Sequence, residues 1–400
     1  MSVPFTNLPA KATLRPARFN VSIPQAKLDE LQTLLNHSKL APDTYEGSHE
    51  DRKYGLTNKW IREAKSVWEK QFDWRKHEEH INSFPHYVAP VVDDGIEYNI
   101  HFVALFSDKR DAVPLVLLHG WPGSFLEFLP IISILRKEHN SFTLPYHLIV
   151  PSMPGYTFSS PPPLDRDLRI QDIARIFDKL MVGLGFVDGY VVQGGDIGSK
   201  VGRVMAVEHA SCKAIHLNFC IMPEPVNASK ALSTTEEIGL IRAKEFLRIG
   251  SAYALEQATR PSTLGMVLSS SPLALLAWIG EKFLDWTDED PPLDTILESV
   301  TLYWLTDTIS RSIYPYRQVS STLFTPGSIG THENPIWHIN KPFGFSWFPQ
   351  EIAPVPRSWI ETTGDLVFFR QHTKGGHFAA VEQSAVLLKD LEDFITQVWK

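Results

Sequence analysis

The chain has 400 residues, 43% of them hydrophobic and 21% charged, with a formal net charge of −8. That length supports a large core in more than one compact unit, and an acidic chain with no long Lys/Arg run argues against nucleic acid or an anionic membrane as partner. Cys212 and Cys220 are its only cysteines, too few for a disulfide framework, so a reducing compartment, the cytoplasm, is expected.

The first twenty residues lack the apolar core of a signal peptide, and no apolar run reaches the roughly 20 residues that span a bilayer. Residues 1–85 read as a helical meander. "SIPQAKLDELQTLL" sets Ser22 and Gln25 at capping-box spacing, puts Pro24 in the first turn and lines up Leu28, Leu31 and Leu35 on one face. "NKWIREAKSVWEKQFDW" repeats such a face at Trp60, Ala64, Val67, Trp68 and Phe72, a stripe that belongs to a core. "HEEH" at 77–80 lacks the zinc spacing His-Glu-x-x-His. Neither a metal nor a cofactor is expected.

From about residue 86 the period changes. "HYVAPVV" and "IEYNIHFVAL" read as strands around the turn Asp93-Asp94-Gly95. Strand and helix then alternate: "VPLVLLHG" before a helix near 124–137, "HLIVPS" before one near 169–183, "GYVVQGG" before one near 197–210, then "KAIHLNF". Unbroken Val/Ile/Leu runs between helices indicate a mostly parallel sheet covered on both faces, an α/β fold. The alternation stops between about 223 and 320, a Leu- and Ala-rich helical stretch that reads as an insertion. "KPFGFSWF" and "LVFFRQH" follow it as strands, and a helix from about 380 to 398 carries Val381, Ala385, Leu388, Leu391 and Phe394.

Chemistry concentrates at the strand ends. In Gly194-Gly195-Asp196-Ile197-Gly198 a strand turns sharply into a helix, the setting in which Gly-x-Ser-x-Gly hydrolases expose a nucleophile. Here the exposed residue is Asp196. It reads either as a nucleophile or as a helix N-cap, and this stretch alone leaves both readings open. "LLHGWPGS" ends an earlier strand. In such folds that loop gives one oxyanion-hole N–H and the residue after the nucleophile gives another, here Trp121 and Ile197. A cis Trp121–Pro122 bond is expected in that turn, X–Pro being the linkage that tolerates it. His119 beside the turn reads as a loop hydrogen-bonder. His377 in "KGGHFAA" stands just after the last strand, where the base belongs. Glu351, at the carboxyl end of a strand, is the candidate to fix its tautomer. The rival Asp365 precedes its strand and falls at the other edge.

An aspartate is ionised at neutral pH and attacks without a base. It displaces at a strained or activated sp3 carbon, leaving an ester that a His-activated water then hydrolyses. Epoxide opening and carbon–halogen cleavage both fit. An alkoxide leaving group requires proton donors, whereas a halide requires only weak N–H donors.

In order along the chain, "HGWPGS", "PSMPGYTFS", "QGGDIGS", "FSWFPQE" and "GGHFAA" resemble the epoxide hydrolases of the microsomal type, especially their soluble fungal members. "FNVSIPQAKLDELQTLL" and "FDWRKHEEHIN" resemble that family's N-terminal region, so the resemblance covers nearly the whole chain. It implies an α/β-hydrolase core (86–222 and 321–400), an inserted helical lid (223–320) and the N-terminal meander (1–85). It implies Asp196 as nucleophile, His377 as base and Glu351 as its partner, although some fungal relatives carry Asp at that position. Two lid tyrosines would donate to the epoxide oxygen. Tyr253 resembles the first and Tyr316 the second, with Tyr314 two residues away. The partners implied are a small-molecule epoxide and water, with no nucleic acid or membrane. Homodimerisation is suggested by the resemblance alone. Haloalkane dehalogenases share the fold and the aspartate but resemble Asp-Trp at the elbow, where Ile197 stands here. A non-catalytic ligand-binding protein on the same fold would have no use for the Asp/His/Glu set.

Overall fold

The unbroken apolar runs become the centre of a nine-stranded sheet. A computed structural model describes residues 5–226, 228, 231–319 and 329–400. Its strands are β1 (Ala17–Phe19), β2 (His86–Asp93), β3 (Ile96–Leu105), β4 (Val113–Leu118), β5 (Tyr146–Pro151), β6 (Tyr190–Gly194), β7 (Cys212–Leu217), β8 (Ile339–Trp347) and β9 (Gly364–Gln371). They lie in the order β1-β2-β3-β5-β4-β6-β7-β8-β9. Pairing is antiparallel from β1 to β5 and parallel from β5 to β9. Asp94 and Gly95 join β2 to β3 with φ of 47° and 78°, the left-handed pair that a twisted two-residue hairpin demands. Every residue of β4 is buried, as expected for a strand covered on both faces.

The N-terminal helices are α1 (Gln25–His37), α2 (Asn58–Lys70) and α3 (Trp74–Asn82); α4 (Leu129–Glu138), α5 (Ile170–Gly183) and α6 (Asp196–Glu208) alternate with the central strands. Helices α7 (Thr234–Glu245), α8 (Ala252–Thr259), α9 (Pro261–Ser269), α10 (Pro272–Trp286), α11 (Leu293–Leu305), α12 (Ile309–Ser312) and α13 (Tyr316–Val319) fill the stretch expected as a lid (223–320), whose end near 320 lies outside the described residues. Three helices follow: α14 (Arg357–Ile360), α15 (Ala379–Glu382) and α16 (Ser384–Val398). Helices α5 and α6 pack together on the sheet, as do α4 and α16. Among the described residues no single helix is long and apolar enough to cross a membrane; α9 and α10 meet that test only as a pair bent by 116°.

The fold corrects three expectations. Residues 17–19 form a strand inside the supposedly helical meander. The Ser22/Gln25 capping box does not form, because α1 begins only at Gln25, with Pro24 as an N-cap that makes no side-chain bond. The preceding backbone is held extended instead: Val21 N–H donates to Asn82 and Ile23 N–H to Glu78, both on α3. The C-terminal helix is broken at Gln383, because the turn before it is pinned by Glu382, which accepts from the backbone N–H of Phe378 and of Asp288. The "HEEH" stretch also finds a use: His77 lies between Asp294 at 3.3 Å and Glu298 at 3.0 Å, joining α3 to α11.

Candidate active site

Sheet register brings the functional side chains together. Leu118 of β4 pairs with Gly194 of β6, so the turns just beyond them, holding Trp121 and Asp196, are neighbours. Asp196 sits at φ 43°, a strained conformation for a residue with a Cβ. The N-cap position of α6 is held by Gly195, not by Asp196. The Asp196 Oδ1 accepts the Trp121 N–H at 2.8 Å, and the Ile197 N–H is also directed to this carboxylate. The Trp121–Pro122 bond is cis, as expected. Two glycines make the approach feasible. A Cβ on Gly120 would collide with Asp196, and one on Gly198 with the carbonyls of Leu118 and His119. His119 holds the loop, paired with Gly120 O and accepting from Met153 N–H.

On the other side, an isolated parallel bridge joins Gln350 to Gly376, and the next residues on each chain are Glu351 and His377. His377 Nδ1 meets Glu351 Oε1 at 2.5 Å, and Nε2 lies 3.5 Å from Asp196 Oδ2. Asp365 is the second residue of β9, at the opposite end of that strand. Trp286 at the end of α10 accepts the His377 N–H, and its ring meets the imidazole edge-on at 5.0 Å. The side chains of Glu351 and His377 are 4% and 3% exposed, while that of Asp196 is 15% exposed. Asp196 is thus the most open of the three side chains.

Tyr253 and Tyr316 close over Trp121. The Tyr253 ring stacks on the indole at 5.5 Å, Tyr316 meets it edge-on at 5.8 Å, and the two phenol rings are 5.8 Å apart. The Tyr316 hydroxyl is buried without a well-formed hydrogen bond, and the side chain that acts on it most is Tyr253. Tyr314 points elsewhere, its hydroxyl donating to Pro154 O at 3.0 Å. Of the two neighbouring tyrosines, only Tyr316 faces the site.

Charge follows this geometry. Burial would raise Asp196, but the His377 imidazole and the Trp121 and Ile197 N–H groups hold it below the ordinary carboxylate range. Burial opposes a charge on His377, but Glu351 and Asp196 on either side raise it. Burial raises both tyrosines further above their usual range, and the Asp196 charge adds to this.

Sequence reasoning missed Glu127. An acid in the first turn of a helix is ordinary, and nothing local marks it as different. It follows the Trp121 turn, and with Gly123, Asp196 and His377 it lines a cavity with about 20 Å³ open to the centre of a water molecule. Burial pushes its carboxyl up to about 8, with His377 pulling it down and Asp196 pushing it up. It is therefore largely protonated at neutral pH.

A sharp turn from a buried parallel strand into a helix, presenting Asp196 to an imidazole that arrives from the far edge of the same sheet, defines an α/β-hydrolase. Residues 113–257 match the family described as alpha/beta hydrolase fold, and residues 16–128 match the one described as epoxide hydrolase N terminus. A protein of Dothistroma septosporum, assigned by name to the epoxide hydrolases, is 44% identical over 397 residues, covering 98% of this chain and 92% of its own. Epoxide hydrolase 1 of Sus scrofa is 31% identical over 418 residues, covering 96% and 88%. The structure of Aspergillus niger epoxide hydrolase superposes with a TM-score of 0.94 at 51% identity, covering 99% of this chain and 100% of that one. The chain belongs to the epoxide hydrolases, and it is an enzyme of that kind, with an epoxide and water as its substrates.

Proposed function

We propose that the enzyme converts epoxides to vicinal diols in two chemical steps, through an ester on Asp196. The division of labour between the two Asp196 oxygens carries this reading. Oδ1 takes the Trp121 N–H, while Oδ2 faces His377. Oδ2 attacks an epoxide carbon, the carbon–oxygen bond opens, and the alkoxide takes a proton from the Tyr253/Tyr316 pair. Phenols whose own ionisation is disfavoured stay protonated and ready to donate. A halide leaving group would make no use of them.

The second step draws on the other half of the site. His377 takes a proton from a water that attacks the ester carbon, charge develops on Oδ1, and the Trp121 and Ile197 N–H groups stabilise it. Collapse expels Oδ2 as the diol's second hydroxyl, which takes its proton from the His377 imidazolium; the other proton of the water leaves the new carboxyl group and restores the tyrosinate left by the first step, and the water oxygen remains in the carboxylate. Glu351 keeps the proton on Nδ1 and leaves Nε2 for the water. Glu127 is a second contact for that water in the same cavity. Ester formation itself prepares His377. It abolishes the Asp196 charge, one of the two that favour imidazolium, and so lets the ring give up its proton and stand neutral, able to take one from the water. We assign the enzyme to the cytoplasm, where its two free buried cysteines stay reduced.

The test is a single turnover of styrene oxide with excess enzyme in ¹⁸O-water. The diol is expected to be unlabelled, with the label in the peptide containing Asp196. Label in the first-turnover diol would mean that water attacks the epoxide directly.

A further inference from the structure

The cavity beside Asp196 and His377 touches neither Tyr253 nor Tyr316. It serves the hydrolytic half of the reaction, and it has room for about one water. Each turnover consumes that water, and during hydrolysis the alkyl group on Asp196 occupies the tyrosine side. A replacement arriving from behind needs its own way in.

The walls supply one. Gly123 and Glu127 line this inner cavity and also a second cavity, with about 310 Å³ open to water centres, that runs outward between α4, α10 and α11. Its wall carries the hydroxyls of Ser133, Thr295 and Ser299, together with His80 and Glu298. His80 and Glu298 in turn line a surface depression with about 490 Å³ open to water centres. Glu127 and Gly123 are thus the common wall between the outer cleft and the cavity beside Asp196. The residue at 123 has no side chain, and a Cβ there would strike the Glu127 carboxylate. Its carbonyl is tied to α11 by the Tyr303 hydroxyl at 2.8 Å, which holds the partition in place.

We propose that this cleft is a water inlet, separate from the tyrosine side on which the epoxide binds, and that Glu127 passes water from it to the ester. The inference rests on the two-step reading above.

Thr295 and Ser299 stand four residues apart on one face of α11, so either can carry a plug without touching the reacting groups. Thr295→Phe and Ser299→Phe are to be compared with the parent in single turnovers of styrene oxide, by rapid quench and mass measurement of the ester. Alkylation is expected at the parental rate in both. Ester hydrolysis is expected to slow several-fold, so that alkylated enzyme accumulates during steady turnover. Ser299→Ala, which widens the cleft, is expected to leave both phases unchanged. Should phenylalanine unfold the protein, Ser299→Leu carries the same expectation as the larger plugs. Parental hydrolysis rates in both filled variants would overturn the inlet, as would equal slowing of the two phases or slowing by Ser299→Ala. Failure of the two-step reading itself is seen separately, as no ester on Asp196 in the parent enzyme.

Discussion

Glu351 holds His377 through one short contact, Oε1 to Nδ1 at 2.5 Å, and so directs Nε2 toward Asp196. The same oxygen accepts the Ile352 N–H at 2.6 Å, which fixes the carboxylate in turn. Glu351→Gln removes the charge that favours the correct tautomer. Ester hydrolysis should fall by about 10²–10⁴, the range for general-base help, while alkylation stays close to parental. Glu351→Asp should recover part of the loss. Equal slowing of both phases would mean that Glu351 serves only the fold.

Tyr253→Phe and Tyr316→Phe should each slow alkylation by about 10²–10³, as for loss of one oxyanion donor. Tyr314→Phe should leave alkylation unchanged, because its hydroxyl is committed to Pro154 O. It should instead cost about 1–3 kcal/mol of stability by stranding a buried carbonyl. Stopped-flow alkylation rates and urea melts of the three variants separate these outcomes.

The two phases should respond differently to pH. Asp196 is held below the ordinary carboxylate range, so alkylation should persist into acid and fail only below that range. His377 is raised by two carboxylates in the free enzyme, and the ester removes one of them. Hydrolysis requires the neutral ring. Its rate should therefore rise with pH, with a midpoint below the His377 pKa of the free enzyme. Single-turnover rates for both phases, set beside an NMR titration of His377 in the unreacted protein, test the sign. A midpoint at or above the free-enzyme value would contradict it.

Gly198→Ala should destabilise the protein by about 1–3 kcal/mol, the usual cost of overpacking. Its Cβ would meet the Leu118 and His119 carbonyls, which belong to rigid backbone rather than to a flexible side chain. An unchanged urea midpoint would show that α6 can retreat from β4.

Much of this was legible because it is local. The strand–turn–helix around Asp196, the Gly-rich turn at Trp121 and the position of His377 after the last strand are written in short windows of sequence. The choice of Glu351 over Asp365 followed from which edge of a parallel sheet collects ligand groups. What was not legible depends on distant contacts. β1 is three residues long and exists only through its pairing with β2. The start of α1 is set by side chains on α3. Resemblance alone favours Tyr316 over Tyr314 two residues away, and it takes the distant Pro154 carbonyl, which engages the Tyr314 hydroxyl, to separate them in space. Glu127 is an unremarkable acid until the chain folds around it.

In the proposed mechanism Asp196 Oδ2 supplies the ester oxygen. His377→Gln protein mixed with excess styrene oxide, followed by intact mass spectrometry and peptide mapping, tests this most directly. The protein should gain the mass of one substrate on the fragment containing Asp196 and then stall. An adduct that maps elsewhere, or sustained diol formation by Asp196→Ala, would contradict it.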